Sequence, residues 1–289
     1  MIGSDSTAGL NLVAVPPPAS VAFFSKKVML ATPWFKFTHP LTSFSVSQLM
    51  DRRRVTTSMC FGDSFVAHSR NSIVDAFLKT DGEYLLMIDD DQIVPFGNAA
   101  WYREHTGWNI PEPYASLNAL DRLLSHGKTL VGGLYKGRYE KSNFVFGEGA
   151  DPKTKAYLEA GPRNEIRQTR WVGTGCLLAH RSVFEDIEKR FPRLGRHSNI
   201  KGGQWFSSSE HTAMDWIDKI RTMLGEGPMT GEKAAKALAM LESAAAECRN
   251  VSTLGVGEDV QLCLRAASAG HPTYVDFGLR VGHIGCKVY

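Results

Sequence analysis

The chain has 289 residues, 43% of them hydrophobic and 22% charged, with a formal net charge of +3. That supplies apolar surface for one large or two small packed domains, and it is too ordinary a composition for a disordered or collagenous protein. No run approaches the roughly 20 apolar residues of a membrane span. The N-terminus lacks a basic-then-apolar leader, and five scattered cysteines with no CxxC pair argue against structural zinc or a disulfide framework, so the expectation is reduced thiols in a cytoplasmic protein.

Residues 1–24, with the run Pro16-Pro17-Pro18, read as a flexible lead-in. Val28 to Thr32 reads as a first strand ended by Pro33, and Ser64 to Leu78 as a helix through Val66, Ile73, Val74 and Phe77. Tyr84 to Ile88 is a second apolar strand. Ala115 to His126 repeats the helical spacing through Leu117, Leu120, Leu123 and Leu124, with Gly127 as its stop. Thr129 to Val131 is a short strand closed by Gly132-Gly133. Alternating strands and helices with continuous apolar runs predict an α/β fold, a Rossmann-like and mostly parallel sheet with helices on both faces.

The second half is less regular. Trp171 to Ala179 reads as a strand entered through a glycine-rich turn, Ser182 to Arg190 as a helix, and residues 195–209 as a mobile loop. Residues 210–249 read as two helical pieces broken at Gly225-Glu226-Gly227-Pro228, the second rich in Ala, Leu, Glu and Lys. A helix then runs from Gly257-Glu258-Asp259 to about Ala269. The turn Gly270-His271-Pro272 leads to a strand at Thr273 to Phe277 and a tail holding His283. From residue 25 onward the chain is expected to form a single domain with a helical insertion at about 195–250.

Three consecutive carboxylates, Asp89-Asp90-Asp91, follow the strand Tyr84 to Ile88. Like charges at a buried strand end repel unless a cation sits among them, and all-oxygen donors there suit Mg²⁺ or Mn²⁺ with phosphate oxygens completing the shell. In open α/β sheets ligands bind beyond the carboxyl ends of the strands. Acids in a turn can also cap a helix, but Gln92-Ile93-Val94-Pro95 is a poor helix start. Glu258-Asp259 suits the first turn of a helix through the macrodipole, and one of the two carboxylates can also serve as a general base. His283, between glycines, is either structural or a further metal ligand.

The ordered set of Val28 to Thr32, Arg70-Asn71, Ile88 to Asp91, Gly173 to Leu178, Gly257 to Val260 and Gly282-His283-Ile284 resembles A-type nucleotide-sugar glycosyltransferases, more specifically soluble family-two-like enzymes. The resemblance implies an A-type glycosyltransferase fold and a nucleotide-sugar donor, a UDP-sugar. Thr32 and Pro33 would border the nucleobase and ribose, and Arg70 and Asn71 would line the nucleotide pocket. Asp89 and Asp90 would contact ribose and donor sugar. Asp91 and His283, with Asp89, would hold Mn²⁺ or Mg²⁺. Asp259 would be the base of an inverting transfer with Glu258 beside it, and a retaining course stays open. Trp171, Gly173, Thr174 and Gly175 would shape the acceptor side.

The arrangement is also similar to bacteriophage enzymes that glycosylate hydroxymethylated bases in DNA. Basic residues outnumber acidic ones between Arg163 and Lys201, and Arg52-Arg53-Arg54 forms a second knot. Arg167 and Arg170, with Tyr135, Lys136 and Arg138, are candidate contacts to such an acceptor, whose phosphates would make affinity salt-dependent. A phage-encoded enzyme would work in the host cytoplasm. A glycan, lipid or small-molecule hydroxyl is the alternative acceptor. A nucleotidyltransferase or a non-catalytic nucleotide-sugar-binding module is the alternative class.

Overall fold

The computed structural model describes residues 13–14, 26–34, 38–50, 55–62, 66–108, 118–138, 142–160, 163–190, 205–206, 220, 224–225, 229–252 and 257–285. In chain order these form β1 (Val13–Ala14), β2 (Val28–Trp34), α1 (Pro40–Gln48), β3 (Val55–Gly62), α2 (Val66–Leu78), β4 (Tyr84–Ile88), β5 (Gln92–Ile93), α3 (Ala99–Thr106) and α4 (Ala119–Ser125). They continue as β6 (Leu130–Leu134), α5 (Pro152–Glu159), β7 (Glu165–Thr169), β8 (Cys176–His180), α6 (Arg181–Arg190), α7 (Gly231–Ser252), α8 (Glu258–Ser268), β9 (Thr273–Arg280) and β10 (Gly282–His283). No helix among the described residues is long and apolar enough to cross a membrane.

One sheet has the order β1-β7-β9-β6-β8-β4-β2-β3, and β5 and β10 make a separate ribbon. Pairing is parallel at β2–β3, β2–β4 and β6–β9, and antiparallel at β4–β8, β6–β8, β7–β9 and β1–β7. Only β7 and β8 therefore run against the rest. The sheet is Rossmann-like and mostly parallel, with one reversed strand at its centre.

Alternation along each strand sorts its side chains to two faces. Met29, Ala31, Leu85, Met87, Leu177 and Ala179 pack under α2, α6 and α8, against Ile73, Phe77, Phe184 and Leu262. Val28, Leu30, Leu86, Ile88 and Leu178 turn the other way, onto Val46 of α1 and Leu120, Leu123 and Leu124 of α4. Helices thus cover both faces.

Several boundaries differ from the sequence reading. β2 continues through Pro33 to Trp34, because its pairing with β4 stops at Ala31 and only β3 accompanies it further. Gly132 and Gly133 lie inside β6. A Cβ at Gly132 would stand 2.9 Å from a Val172 methyl and one at Gly133 2.8 Å from a Val281 methyl, so close packing keeps both positions small. Within the expected lead-in, Val13–Ala14 pairs with β7 at the sheet edge. Trp205 and Phe206, expected in a mobile loop, are buried at 3% and 1% exposure. The Trp205 indole donates to Phe184 O at 3.1 Å, and Phe206 exchanges two hydrogen bonds with the Asn71 amide. The rest of 195–209, the first helical piece of the insertion apart from residues 220 and 224–225, and Arg52-Arg53-Arg54 lie outside the described residues.

Candidate active site

The aspartate triplet is a turn, not a helix cap. Gln92 N–H donates to Asp89 O at 3.2 Å, His39 N–H to Asp90 O at 2.9 Å and Ile284 N–H to Asp91 O at 2.8 Å. Three chain segments are thereby tied to the end of β4. The reversed β8 pairs Cys176 with Ile88, so its entry turn, not its exit, lies beside the triplet, and Asp89 N–H donates to Gly175 O at 3.0 Å. β5 pairs with β10 so that Gln92 faces His283, which delivers the imidazole to Asp91.

Arg70, on α2, is buried with a side chain 4% exposed. Its guanidinium meets Asp89 at 2.6 Å and also bonds Glu258. Burial opposes the charge on Arg70, but the two carboxylates outweigh it and hold its pKa above the ordinary arginine value. The buried guanidinium thus takes Oδ1 of Asp89, the carboxylate also expected on a metal. Asp90 lies in the turn, part exposed, with its carbonyl on His39.

On the other side of the turn, Asp91 Oδ2 lies 3.2 Å from His283 Nε2 and 2.7 Å from Arg138 Nη2. Burial works against the Asp91 charge, yet His283 and Arg138 outweigh it and hold the carboxyl below its usual range. His283 Nδ1–H donates to Lys136 O at 2.7 Å, which fixes the ring and directs Nε2 toward Asp91. Among the described residues no three of His, Cys, Asp and Glu gather into a protein-only metal cage. The donor chemistry, a carboxylate with an unpartnered buried Oδ1 beside an imidazole nitrogen, suits Mn²⁺ or Mg²⁺, and the Arg138 guanidinium, which meets Asp91 Oδ2 and also His283 Nε2 at 3.4 Å, would have to swing out for a cation to bind.

Glu258 and Asp259 open α8 behind Gly257, whose own side adds no cap. The Asp259 carboxylate folds back to accept from Val260 N–H at 2.8 Å, and a Cβ on Gly257 would stand 2.7 Å from Asp259 Oδ1. The glycine of this motif therefore makes room for the carboxylate. Burial, then the neighbouring Glu258 charge, push the Asp259 carboxyl up to about 6, against the pull of Arg70. Trp171 packs beside this end of α8, on Val260 and Leu264.

The remaining expected residues take these places. Thr32 and Pro33 are buried at the end of β2, the strand next to β4. Asn71 gives both ends of its amide to the Phe206 backbone, at 2.8 and 2.9 Å. Arg167 is buried on β7, paired with Glu148 at 3.0 Å and stacked over Phe277, so it is a structural residue and not an open contact. Arg170 is exposed beside Trp171.

Sequence reasoning passed over Ser69, Gln92 and Gln261. Besides Asp91, the buried polar atoms with no hydrogen-bond partner include those of Ser69, Arg70 Nε, Gln92, Thr174 and Gln261. Gln92 and Gln261 follow the carboxylates closely in the chain and Ser69 precedes Arg70, while further such atoms lie elsewhere, on Trp34, Thr42, Arg167 and Thr273. Tyr135 was expected only among the contacts to a DNA acceptor. It follows β6 directly, and its hydroxyl accepts from Gly175 N–H at 3.0 Å. The signal for it was its place at the carboxyl end of a strand.

No protein-family model matches the chain, and no curated protein sequence does. Among solved structures, A197 from STIV is 13% identical, covering 89% of this chain and 85% of its own, with a TM-score of 0.40. A glycosyltransferase involved in the glycosylation of the major capsid of PBCV-1 is 11% identical, covering 59% of this chain and 68% of its own, with a TM-score of 0.29. Neither likeness is near enough to carry an activity across, so function rests on the site.

Proposed function

We propose that this chain is a metal-dependent glycosyltransferase of the A-type fold that moves a sugar from a nucleotide-sugar donor, a UDP-sugar, to a hydroxyl acceptor. One observation carries the reading. At the end of β4 a buried Arg70–Asp89–Glu258 network and a raised Asp259 carboxyl lie on one side, and the Asp91–His283 pair lies on the other.

Asp91 and His283 would hold Mn²⁺ or Mg²⁺, which stabilises a diphosphate leaving group as a Lewis acid. Asp89 and Asp90 take ribose and sugar hydroxyls, with Asp89 oriented by Arg70. Asp259 takes the proton of the acceptor hydroxyl as that oxygen bonds to the anomeric carbon and the carbon–phosphate-oxygen bond breaks. A base facing the side opposite the leaving group gives inversion. For the acceptor we favour a hydroxymethylated base in DNA. Arg138 beside Asp91 and Arg170 beside Trp171, both exposed and basic, support it, whereas Arg167 adds nothing to it. A nucleotidyltransferase is less well supported, because Ala31-Thr32-Pro33-Trp34 is no glycine-rich phosphate loop.

The test is mass spectrometry of UDP-sugars incubated with the chain, Mn²⁺ or chelator, and either hydroxymethylcytosine DNA or plain DNA. The expected result is Mn²⁺-dependent release of UDP with sugar added to the modified base. Asp91→Asn should lose metal-dependent donor binding in calorimetry, while Asp259→Asn should bind donor and transfer nothing. Release of UDP from no donor overturns the reading, and transfer by Asp259→Asn removes that residue as the base.

A further inference from the structure

Tyr135 is buried at 7% exposure, and its surroundings are built around its hydroxyl. A Cβ on Gly173 would strike the phenol oxygen, and one on Gly175 would stand 2.8 Å from the ring carbon that bears it. Both glycines of the Gly173-Thr174-Gly175 turn thus leave room for this group, Gly173 for Val145 as well. A residue needed only for packing would require no gap for an oxygen. The ring meets His283 edge to face, with centroids 5.5 Å apart, so it also joins the two halves of the site.

The phenol oxygen accepts from Gly175 N–H, which leaves its single hydrogen to be donated. Gly175 in turn accepts from Asp89 N–H at 3.0 Å, so one residue ties the phenol to the head of the aspartate triplet. Asp89 stands on the donor side and Asp259 on the acceptor side of the reading above. A carboxylate only accepts, and this phenol has only a proton to give. A sugar hydroxyl, which donates once and accepts, satisfies both together.

We propose that Tyr135 donates its hydroxyl hydrogen bond to a hydroxyl of the sugar being transferred, with Asp89 accepting from that same hydroxyl, and is a specificity-determining residue of the transfer. The inference rests on the glycosyltransferase reading and adds what that reading lacks, the group that tells one donor sugar from another. A site built to bond a substrate hydroxyl rejects the analogue without it, because its own polar groups are left unpaired.

The test uses UDP-glucose, UDP-galactose and their monodeoxy analogues with Mn²⁺, reading UDP release and calorimetric binding. In the wild-type chain removal of one sugar hydroxyl should lower kcat/KM by at least about tenfold. Tyr135→Phe keeps the ring and removes the donor. It should lose a similar factor with the parent sugar, and the same deoxy position should then cost less than about twofold. Unchanged discrimination in Tyr135→Phe overturns the proposal. Should Tyr135→Phe fail to fold in a thermal melt, the wild-type profile decides: one sensitive position supports the proposal and a flat profile overturns it. A folded wild-type chain that binds neither parent sugar fails the reading above, and the proposal falls with it. Binding of the parents with unchanged discrimination fails the Tyr135 proposal alone.

Discussion

Asp259 is a carboxyl that folding penalises. Burial and Glu258 raise it to about 6, so as a base it is proton-free only above that value, and kcat/KM should fall as pH drops through about 6. Glu258→Gln removes the like charge and leaves Arg70 in place, so the acid limb of the pH–rate profile should move to lower pH. The same shift sets a stability effect of opposite sense to the usual aspartate. A carboxyl whose folded value is raised favours the folded state below its unfolded value near 4, and that advantage is lost as pH rises through about 6. Asp259→Asn should therefore stabilise the chain by about 1–3 kcal/mol at pH 8 and by little below pH 4. Thermal melts across that range check it. Glu258 and Asp259 were legible from their place behind Gly257 at a helix start. The reason for the glycine was not, because it lies in where the Asp259 side chain turns.

Among the elements, β9 shows how a buried charge can hold an irregular strand. Its register with β6 jumps between the pairs Gly133–Asp276 and Leu134–Arg280. The fully buried Asp276 carboxylate fills the jump, accepting from Gly278 N–H at 2.8 Å and Leu279 N–H at 3.1 Å. Arg122 binds it with two nitrogens, at 2.6 and 2.7 Å, and His126 adds a contact at 2.8 Å. Burial disfavours the charge, but Arg122 and His126 outweigh that and hold the carboxyl well below its ordinary range. Asp276→Asn leaves the Arg122 charge buried with a neutral partner, so it should cost about 3–5 kcal/mol in urea unfolding. The strands rich in consecutive apolar residues, such as Tyr84–Ile88, were plain in the sequence. β3, β7, α1, α3 and α5 were not. Strand β7, Glu-Ile-Arg-Gln-Thr, carries its Arg inward onto Phe277 and Glu148, and α1 begins at a proline after His39 with no strong apolar stripe. Tertiary packing overrides local pattern in such segments.

At the scale of the molecule, the reversed β8 between β4 and β6 decides what can meet. It turns the Gly173-Thr174-Gly175 entry toward the aspartates and lets Tyr135, at the end of β6, reach that turn. At the opposite edge β1 adds only two residues to β7. Removing residues 1–24 should cost no more than about 1 kcal/mol in chemical denaturation, and light scattering should detect any association through the uncovered β7 edge.

Taken alone, the sequence determined which carboxylates end a strand and which open a helix, because each is read from its immediate neighbours. It determined the α/β class for the same reason. Only the tertiary structure decided their partners: Arg70 reaches Asp89 across 19 positions and Glu258 across 188, and His283 reaches Asp91 across 192. It also decided that Arg167 meets Glu148 and Phe277, that Asn71 holds the Phe206 backbone and that Tyr135 holds Gly175. Those meetings follow from strand order and direction, which are set by burying both faces of the whole sheet at once and are written in no single stretch of chain.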